Sequence, residues 1–432
     1  MERVLIKSGH IIDPANDTDG VRDLLIEGGV IAATGDSLAA EGAEVIDAAG
    51  CIVTPGFIDI HTHLRQPGQE YKEDIASGTR AAARGGYTAL VSLANTDPVI
   101  DDEVGIRFIA DAARREGAVR VYPVGSVTRG QKGKELAEMG IMVEAGARAF
   151  SDDGHPISSG RVMQLALQYS GMFDVPVCVH EEDRSISGGG VVNWGRISAI
   201  MGLPGIPAAA ESAMIARDLD LCRAFGGHLH IMHVSTARSI ELIREARASG
   251  LHVTCEAAPH HLALTEDLVR ESEYDTNTKV NPPLRTEGDR QALVYALNEG
   301  IIDAIATDHA PHSFDDKDTE YIYAEFGISG LETAFSLLHD RLVRRGEVSL
   351  GRLIEALTAS PASIFDLPGG SLGAGEPADV TILQTDRQWA VNPAEFASKG
   401  RNTPLAGWSL TGFVDTVLVG GRAVLRDGVL TC

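Results

Sequence analysis

A (β/α)8 barrel carrying a small β-sandwich is the α/β fold class that this sequence predicts, on three observations. Through the middle of the chain, short β-branched runs alternate with longer alanine-rich or charged segments, the signature of parallel βα units. Eight such runs can be counted. The two ends of the chain read alike, as short strands punctuated by Gly-Gly turns. A doubly wound sheet also accommodates eight strands, so the residues at the strand ends have to decide.

In order, residues 1–53 supply the first part of the sandwich, with strand-like stretches at Val4–Lys7, Leu24–Gly29 and Glu44–Asp47. Residues 54–370 form the expected barrel. Its strands are Gly56–His61, Tyr87–Leu93, Val119–Gly125, Ala147–Ser151, Val175–His180, His228–His233, Leu251–Ala257 and Asp303–Thr307. Between them the pattern predicts helices at Asp74–Arg84, Asp101–Glu116, Ala208–Phe225 and Ala237–Ala248. Residues 371–432 return to the strand, Gly-Gly turn, strand pattern at Ala378–Leu383 and Thr416–Gly421, and complete the sandwich.

The 432 residues suffice for one large domain and a smaller one, and a 44% hydrophobic, 23% charged composition is that of an ordinary globular protein. A net charge of -24 argues against nucleic acid and against anionic membrane surfaces as partners. An anionic substrate would need a local positive site. The five cysteines (Cys51, Cys178, Cys222, Cys255 and Cys432) are scattered, with no Cys-x-x-Cys pair, which argues against a disulfide framework and a thiolate zinc site. The opening residues lead straight into strand-like sequence, and no apolar stretch is long enough to span a bilayer. The expected location is the cytoplasm.

The strand ends carry the chemistry. The first runs into His61-Thr62-His63-Leu64-Arg65, where alternation puts both imidazoles on one side. The second ends at Asn95-Thr96, the fourth at Ser151-Asp152-Asp153-Gly154, and the fifth at His180-Glu181-Glu182-Asp183. The sixth ends at His233-Val234-Ser235-Thr236, the seventh runs into Pro259-His260-His261, and the eighth into Asp308-His309-Ala310-Pro311-His312. A lone histidine is usually structural, but histidines and carboxylates recurring at successive strand ends mark the face where a barrel carries its active site. Four histidines and two carboxylates without thiolates suit two divalent ions, zinc first. Such a pair activates water for hydrolysis of an amide-like bond without a covalent enzyme intermediate.

These motifs resemble the amidohydrolase superfamily and, more narrowly, bacterial dihydroorotases of the long-chain class. The resemblance is carried by Pro55–Gly68, Ser151–Gly154, His180–Asp183, His233–Thr236, Asn281–Arg285 and Thr307–His312. Gly327–Thr333 and Lys399–Pro404 extend it almost to the C-terminus. It implies that His61, His63 and Asp308 hold one Zn2+ and His180 and His233 a second. Many superfamily members bridge the metals with a carboxylated lysine at the end of strand 4. This chain has none there, and Asp153 takes the place, with adjacent Asp152 as the alternative that alternation leaves open.

The resemblance further implies reversible hydrolysis of (S)-dihydroorotate to N-carbamoyl-L-aspartate, a step of pyrimidine biosynthesis, with Asp308 as the catalytic proton carrier. Arg65 would grip the substrate carboxylate through paired charge-assisted hydrogen bonds, helped by Asn95 and His312, with Asn281 on the ring. The competing reading of Arg65 is an ion pair with Glu70 or Glu73. His260, His261 and His309 are read as supporting residues, while His155, His228, His230 and His252 have no assigned role. Acidic, tyrosine-containing residues 314–326 follow strand 8 and suit a loop over the site. A hydantoinase, dihydropyrimidinase or allantoinase shares the chemistry, but usually keeps the strand 4 lysine. A non-catalytic scaffold for aspartate carbamoyltransferase would usually have lost its ligands. A homodimer and a complex with that transferase are the partners left open.

Overall fold

The computed structural model describes residues 3–39 and 41–432. Among them, eight short parallel strands form the barrel: β1 (Phe57–Thr62), β2 (Tyr87–Ser92), β3 (Arg120–Pro123), β4 (Phe150–Ser151), β5 (Val177–Val179), β6 (Leu229–Ile231), β7 (Val253–Ala257) and β8 (Ala304–Ile305). They pair in sequence order, β1 to β3 in one run and β4 to β8 in another. Parallel bridges Gly125↔Phe150 and Thr62↔His309 join the two runs and close the ring. All eight expected strands are present, several shorter than their apolar runs because the ends turn out of the ladder to make the site. The helices Ile75–Gly85, Glu103–Glu116, Ala208–Phe225 and Ala237–Ala248 lie where the pattern put them.

Both faces of the strands are buried, as parallel sheets require. Ile58, Ile60, Ala89, Val91 and Cys178 from β1, β2 and β5, with Val124, Ala149 and Met232 at the ends of β3, β4 and β6, share a core that Phe365 and Leu367 also enter. Phe57, Leu90, Phe150, Val177, Leu229, Val253 and Ile305 pack outward against helix residues such as Ile106, Ile215, Ile240 and Leu293. The seam between β1 and β8 is tied by a buried carboxylate. Asp59 Oδ1 accepts from His61 N at 3.1 Å and from Thr307 N at 3.0 Å, and Oδ2 accepts from the Thr307 hydroxyl.

The two chain ends form a single mixed sheet of nine strands among the described residues. Ile52–Pro55 pairs with Arg3–Asp13 on one side and antiparallel with Val380–Ala390 on the other. Gly28 and Gly29 turn one hairpin and Gly420 and Gly421 another, all four at positive φ, where glycine carries no Cβ penalty. The sheet folds over its own core of Ile6, Ile11, Leu24, Ile26, Val53, Val380 and Leu418. None of the helices among the described residues is long and apolar enough to cross a membrane.

Asp379 fastens this sheet to the barrel. Its carboxylate takes Arg120 Nε at 2.8 Å and Nη2 at 3.2 Å from β3, and Gly420 N at 2.7 Å, while its own carbonyl receives Gly56 N just before β1. Asp379 is 3% exposed, so its removal leaves a cation and a backbone N–H without their acceptor. Asp379→Ala is expected to cost about 2–4 kcal/mol of unfolding free energy, less than a fully buried pair because Arg120 keeps contact with water. Urea denaturation followed by far-UV circular dichroism measures it, and a change under about 0.5 kcal/mol would show that the joint is not structural.

Candidate metal centre

At the C-terminal end of the barrel, six side chains from five strand ends converge. His61 Nδ1 lies 2.6 Å from Glu256 Oε1 of β7. That bond fixes the tautomer and leaves Nε2 facing the barrel axis, fully buried and without a hydrogen-bond partner. His63 Nδ1 is held in the same way at 2.9 Å by Asn95 Oδ1, and its Nε2 is 3.1 Å from Asp308 Oδ1. Asp153 Oδ1 is likewise buried without a hydrogen-bond partner. It lies 3.7 Å from His61 Nε2, 3.6 Å from His180 Nδ1 and 3.7 Å from His233 Nε2. His180 Nδ1 and His233 Nε2 are 2.9 Å apart.

Two triads of donor atoms result, His61–His63–Asp308 and His61–Asp153–His233. Donors around one tetrahedral ion with bonds of about 2.05 Å stand roughly 3.3 Å apart. The separations here are close to that, the donors are imidazole and carboxylate, and two are otherwise orphaned in a dry interior. The residues therefore fit divalent metal. Strand alternation left Asp152 and Asp153 as alternatives, and the structure separates them. Asp152 turns away, accepting from Val127 N at 2.8 Å, Thr128 N at 3.0 Å and the Thr128 hydroxyl.

The electrostatics follow from burial opposed by opposite charge. Burial would raise the Glu256 carboxyl, but His61 and His230 bring it down to about 2. Burial would lower the His180 imidazole, but the neighbouring Asp153 and Glu182 carboxylates push it up to about 9. Asp153 is held well below its usual range against the same burial, by His180, His233 and His61. His260, by contrast, is lowered to about 4 by burial, which keeps it neutral beside the centre.

Next to the donors opens a cleft of about 160 Å³. His63, Arg65, Asn95, Asp153, His180, His233, Asn281, Asp308 and His312 all line it, together with Glu325, Phe326 and Gly327. Every sequence-predicted site residue except His61 therefore borders one space, and His61 lies behind it. Arg65 makes no ion pair with Glu70 or Glu73: Glu70 accepts from Gly68 N, and Glu73 is occupied by His309, Ser77 and Ser398. The Arg65 guanidinium instead donates from Nε to Pro311 O at 3.3 Å, with Nη2 3.4 Å from His312 Nε2. Asn281 Nδ2 donates to Glu182 Oε2 at 3.1 Å, so its amide also steadies the His180 side of the centre.

The remaining histidines sort themselves by contact. His309 meets Glu73, His230 meets Glu256 and Thr254, His228 stacks on His252 with ring centres 4.0 Å apart, and His155 is exposed in a turn. Of residues 314–326, Glu325 and Phe326 line the cleft, and two lysines hold the segment's main chain. Lys317 Nζ donates to Thr276 O at 3.1 Å and Glu325 O at 2.6 Å, and Lys279 Nζ donates to Ile322 O at 3.0 Å and Ala324 O at 2.6 Å. From the far end of the chain, Asn402 accepts from His312 N at 2.9 Å and donates to Ala310 O and Gly327 O. Glu256 and Asn402 had no role in the sequence reading. The one signal for Glu256 was a carboxylate inside an otherwise apolar strand.

A family described as dihydro-orotase-like matches residues 50–239. Among curated relatives, the dihydroorotase of Pelotomaculum thermopropionicum is 50% identical over 99% of this chain and 100% of its own length. That of Syntrophotalea carbinolica is 48% identical over 98% of this chain and 99% of its own. Among solved structures, the L-hydantoinase (dihydropyrimidinase) of Arthrobacter aurescens superposes with a TM-score of 0.91 at 26% identity, covering 100% of this chain and 98% of the other. The dihydropyrimidinase of Brevibacillus agri gives 0.87 at 24% identity over 99% of this chain and 96% of the other, which shows a shared fold.

Replacing Glu256 by Gln keeps an acceptor for His61 but removes its charge. The expected result is metal affinity weakened about 10- to 100-fold, with the fold unchanged. Competition with a chromophoric chelator reads it, and an unchanged affinity would show that Glu256 does not tune His61.

Proposed function

The chain belongs to the dihydroorotase family, and from that membership we propose that the cleft binds dihydroorotate by its carboxylate and opens its ring at the paired donor triads. The reaction is the reversible hydrolysis of the cyclic amide of (S)-dihydroorotate to N-carbamoyl-L-aspartate, which serves pyrimidine biosynthesis. The observation that carries the binding mode is Arg65. Arg65 is half-buried beside His312, lines the cleft, and has no carboxylate within ion-pairing distance among the described residues. A cation partly withdrawn from water without a paired anion is costly, and an anionic ligand relieves that cost.

His61, His63 and Asp308 would hold one divalent ion and His180 and His233 the other, with Asp153 beside both sets and zinc as our assignment. Bound there, such ions lower the pKa of water and polarise a carbonyl as Lewis acids. The rest falls to the chain. Arg65 and His312 fix the carboxylate, which sets the ring amide over the donors and lowers the entropic part of the barrier. Asp308 borders the same cleft, so one carboxylate would take the proton of the attacking water and return it to the leaving amide nitrogen. In reverse the same groups close the ring.

The hydantoinase alternative has the fold in its favour and the residues against it. The position where many amidohydrolases carry a bridging lysine reads Phe150-Ser151-Asp152-Asp153. The relatives of about half identity are dihydroorotases, whereas the hydantoinase likeness stands at 26%. A scaffold role does not suit a centre in which His61, His63 and Asp308, and His61, Asp153 and His233, each bring their donor atoms together.

Two substitutions test the roles. Asp308→Asn should leave circular dichroism and thermal unfolding unchanged while lowering kcat by about 10²- to 10⁴-fold, and near-normal turnover would remove Asp308 as proton carrier. Arg65→Ala should raise KM for dihydroorotate far more than for an uncharged ring such as dihydrouracil, by about 10- to 100-fold. Equal losses on the two rings would argue against a carboxylate grip.

A further inference from the structure

Behind the metal donors, a column of polar side chains runs down the inside of the barrel. His230 on β6 is the partner of Thr254 in the parallel ladder with β7. Alternation along β7 sends Val253 and Cys255 outward into the helix-facing core and puts Thr254 and Glu256 together on the inward face. The His230 ring spans these two. Its Nδ1 lies 2.8 Å from the Thr254 hydroxyl and its Nε2 3.1 Å from Glu256 Oε2, while Glu256 Oε1 accepts from His61 Nδ1 at 2.6 Å. Phe365 meets the ring edge-on, with centres 5.7 Å apart. His230 is 0% exposed and Glu256 1%. Polar groups in so dry a place are costly unless each finds a partner. Among the buried side-chain nitrogens and oxygens of His61, Glu256, His230 and Thr254, only His61 Nε2 has none, and it is the atom proposed to bind the metal.

We propose that His230 and Thr254 are positioning residues for the metal centre. Together they hold the Glu256 carboxylate so that one oxygen stays on His61 Nδ1 and His61 Nε2 stays aimed at the ion. This rests on the reading of the donor triads as metal sites. A carboxylate only accepts, so the nitrogen that His230 turns toward Glu256 carries a proton. The ring offers that N–H in one orientation alone, because a half-turn would put carbon atoms where Nδ1 and Nε2 now stand. The Thr254 hydroxyl penalises the half-turn: it can donate or accept, so it bonds Nδ1 in either proton arrangement. His228 Nε2, 2.8 Å from the same hydroxyl, anchors it from the other side. Without the His230 bond, Glu256 keeps His61 as its one side-chain partner among the described residues. A carboxylate free to turn holds the imidazole less firmly.

The test uses the full chain with Zn2+ as the probe. Thr254→Val removes the hydroxyl at nearly constant volume, Thr254→Ser keeps it, and Glu256→Gln breaks the column above it. Competition with a chromophoric chelator reads Zn2+ affinity. Thr254→Val should weaken it about fivefold, the scale of one neutral hydrogen bond, and Thr254→Ser should stay within about twofold of the parent. Added to Glu256→Gln, Thr254→Val should change the affinity by less than about twofold, because the route through the carboxylate is already cut. Nitrogen–proton correlation spectra of histidine-labelled, Zn2+-loaded protein give a second readout. The His61 Nδ1–H signal, identified by its loss in His61→Asn, should move in Thr254→Val and return in Thr254→Ser. A Thr254 that only supports the fold would lower thermal stability and leave both readouts unchanged, or cost the same factor with and without Glu256, and either result overturns the proposal. A parent that takes up no Zn2+ overturns the metal-site reading and the proposal with it. A parent that binds Zn2+ and a Thr254→Val that matches it in both readouts overturn the proposal alone.

Discussion

The site depends on how the barrel closes. His61 and His63 sit at the end of the first strand and Asp308 just past the eighth, so these donors meet only if the ring shuts in one register. Asp59 enforces that register by taking a main-chain N–H from each side of the seam and the Thr307 hydroxyl. His63 N donates to His309 O at 3.0 Å and continues the closure one layer higher. Burial raises the Asp59 carboxyl to about 7 against these hydrogen bonds. Its geometry is thus bought with desolvation, and a slip of one residue would leave both the carboxyl and the metal donors unmatched.

Above the seam, the cleft solves a problem of charge. A chain with a net charge of -24 repels an anion at long range. Within the cleft, however, Arg65 is backed by His312 and Lys72, and Lys317 and Lys279 stand behind the neighbouring wall. Two of these lysines spend their donors on main-chain carbonyls of the 322–325 segment. The same cations that favour an anion therefore also hold the wall against which it would lie. Selection and architecture share the same charges.

Much of this was legible in the sequence, and the exceptions have a common cause. The strand count and the His-x-His-x-Arg opening follow from local alternation, and alternation is a local property. The Asp152–Asp153 ambiguity shows its limit: adjacent residues face opposite ways, and only the Val127 and Thr128 donors, far from strand 4 in sequence, reveal which aspartate is committed elsewhere. Glu256, Asn402 and Lys72 act through partners 195, 90 and 240 residues away. No periodicity encodes such pairings. The short observed strands have the same origin, since backbone that would extend a ladder is diverted into side-chain hydrogen bonds at the site.

The sheet that joins the two chain ends has a consequence during synthesis. Ile52–Pro55 finds its antiparallel partner only in Val380–Leu383, and the Arg120–Asp379 joint closes at the same late point. At ordinary ribosomal speed, the roughly 300 intervening residues take about 15 to 60 seconds to appear. Through that interval the N-terminal strands present an unpaired β edge to the crowded cell, and the barrel lacks the sheet that seats it. Nascent chains of this protein are therefore most exposed to aggregation before residues 380–383 emerge to cover that edge.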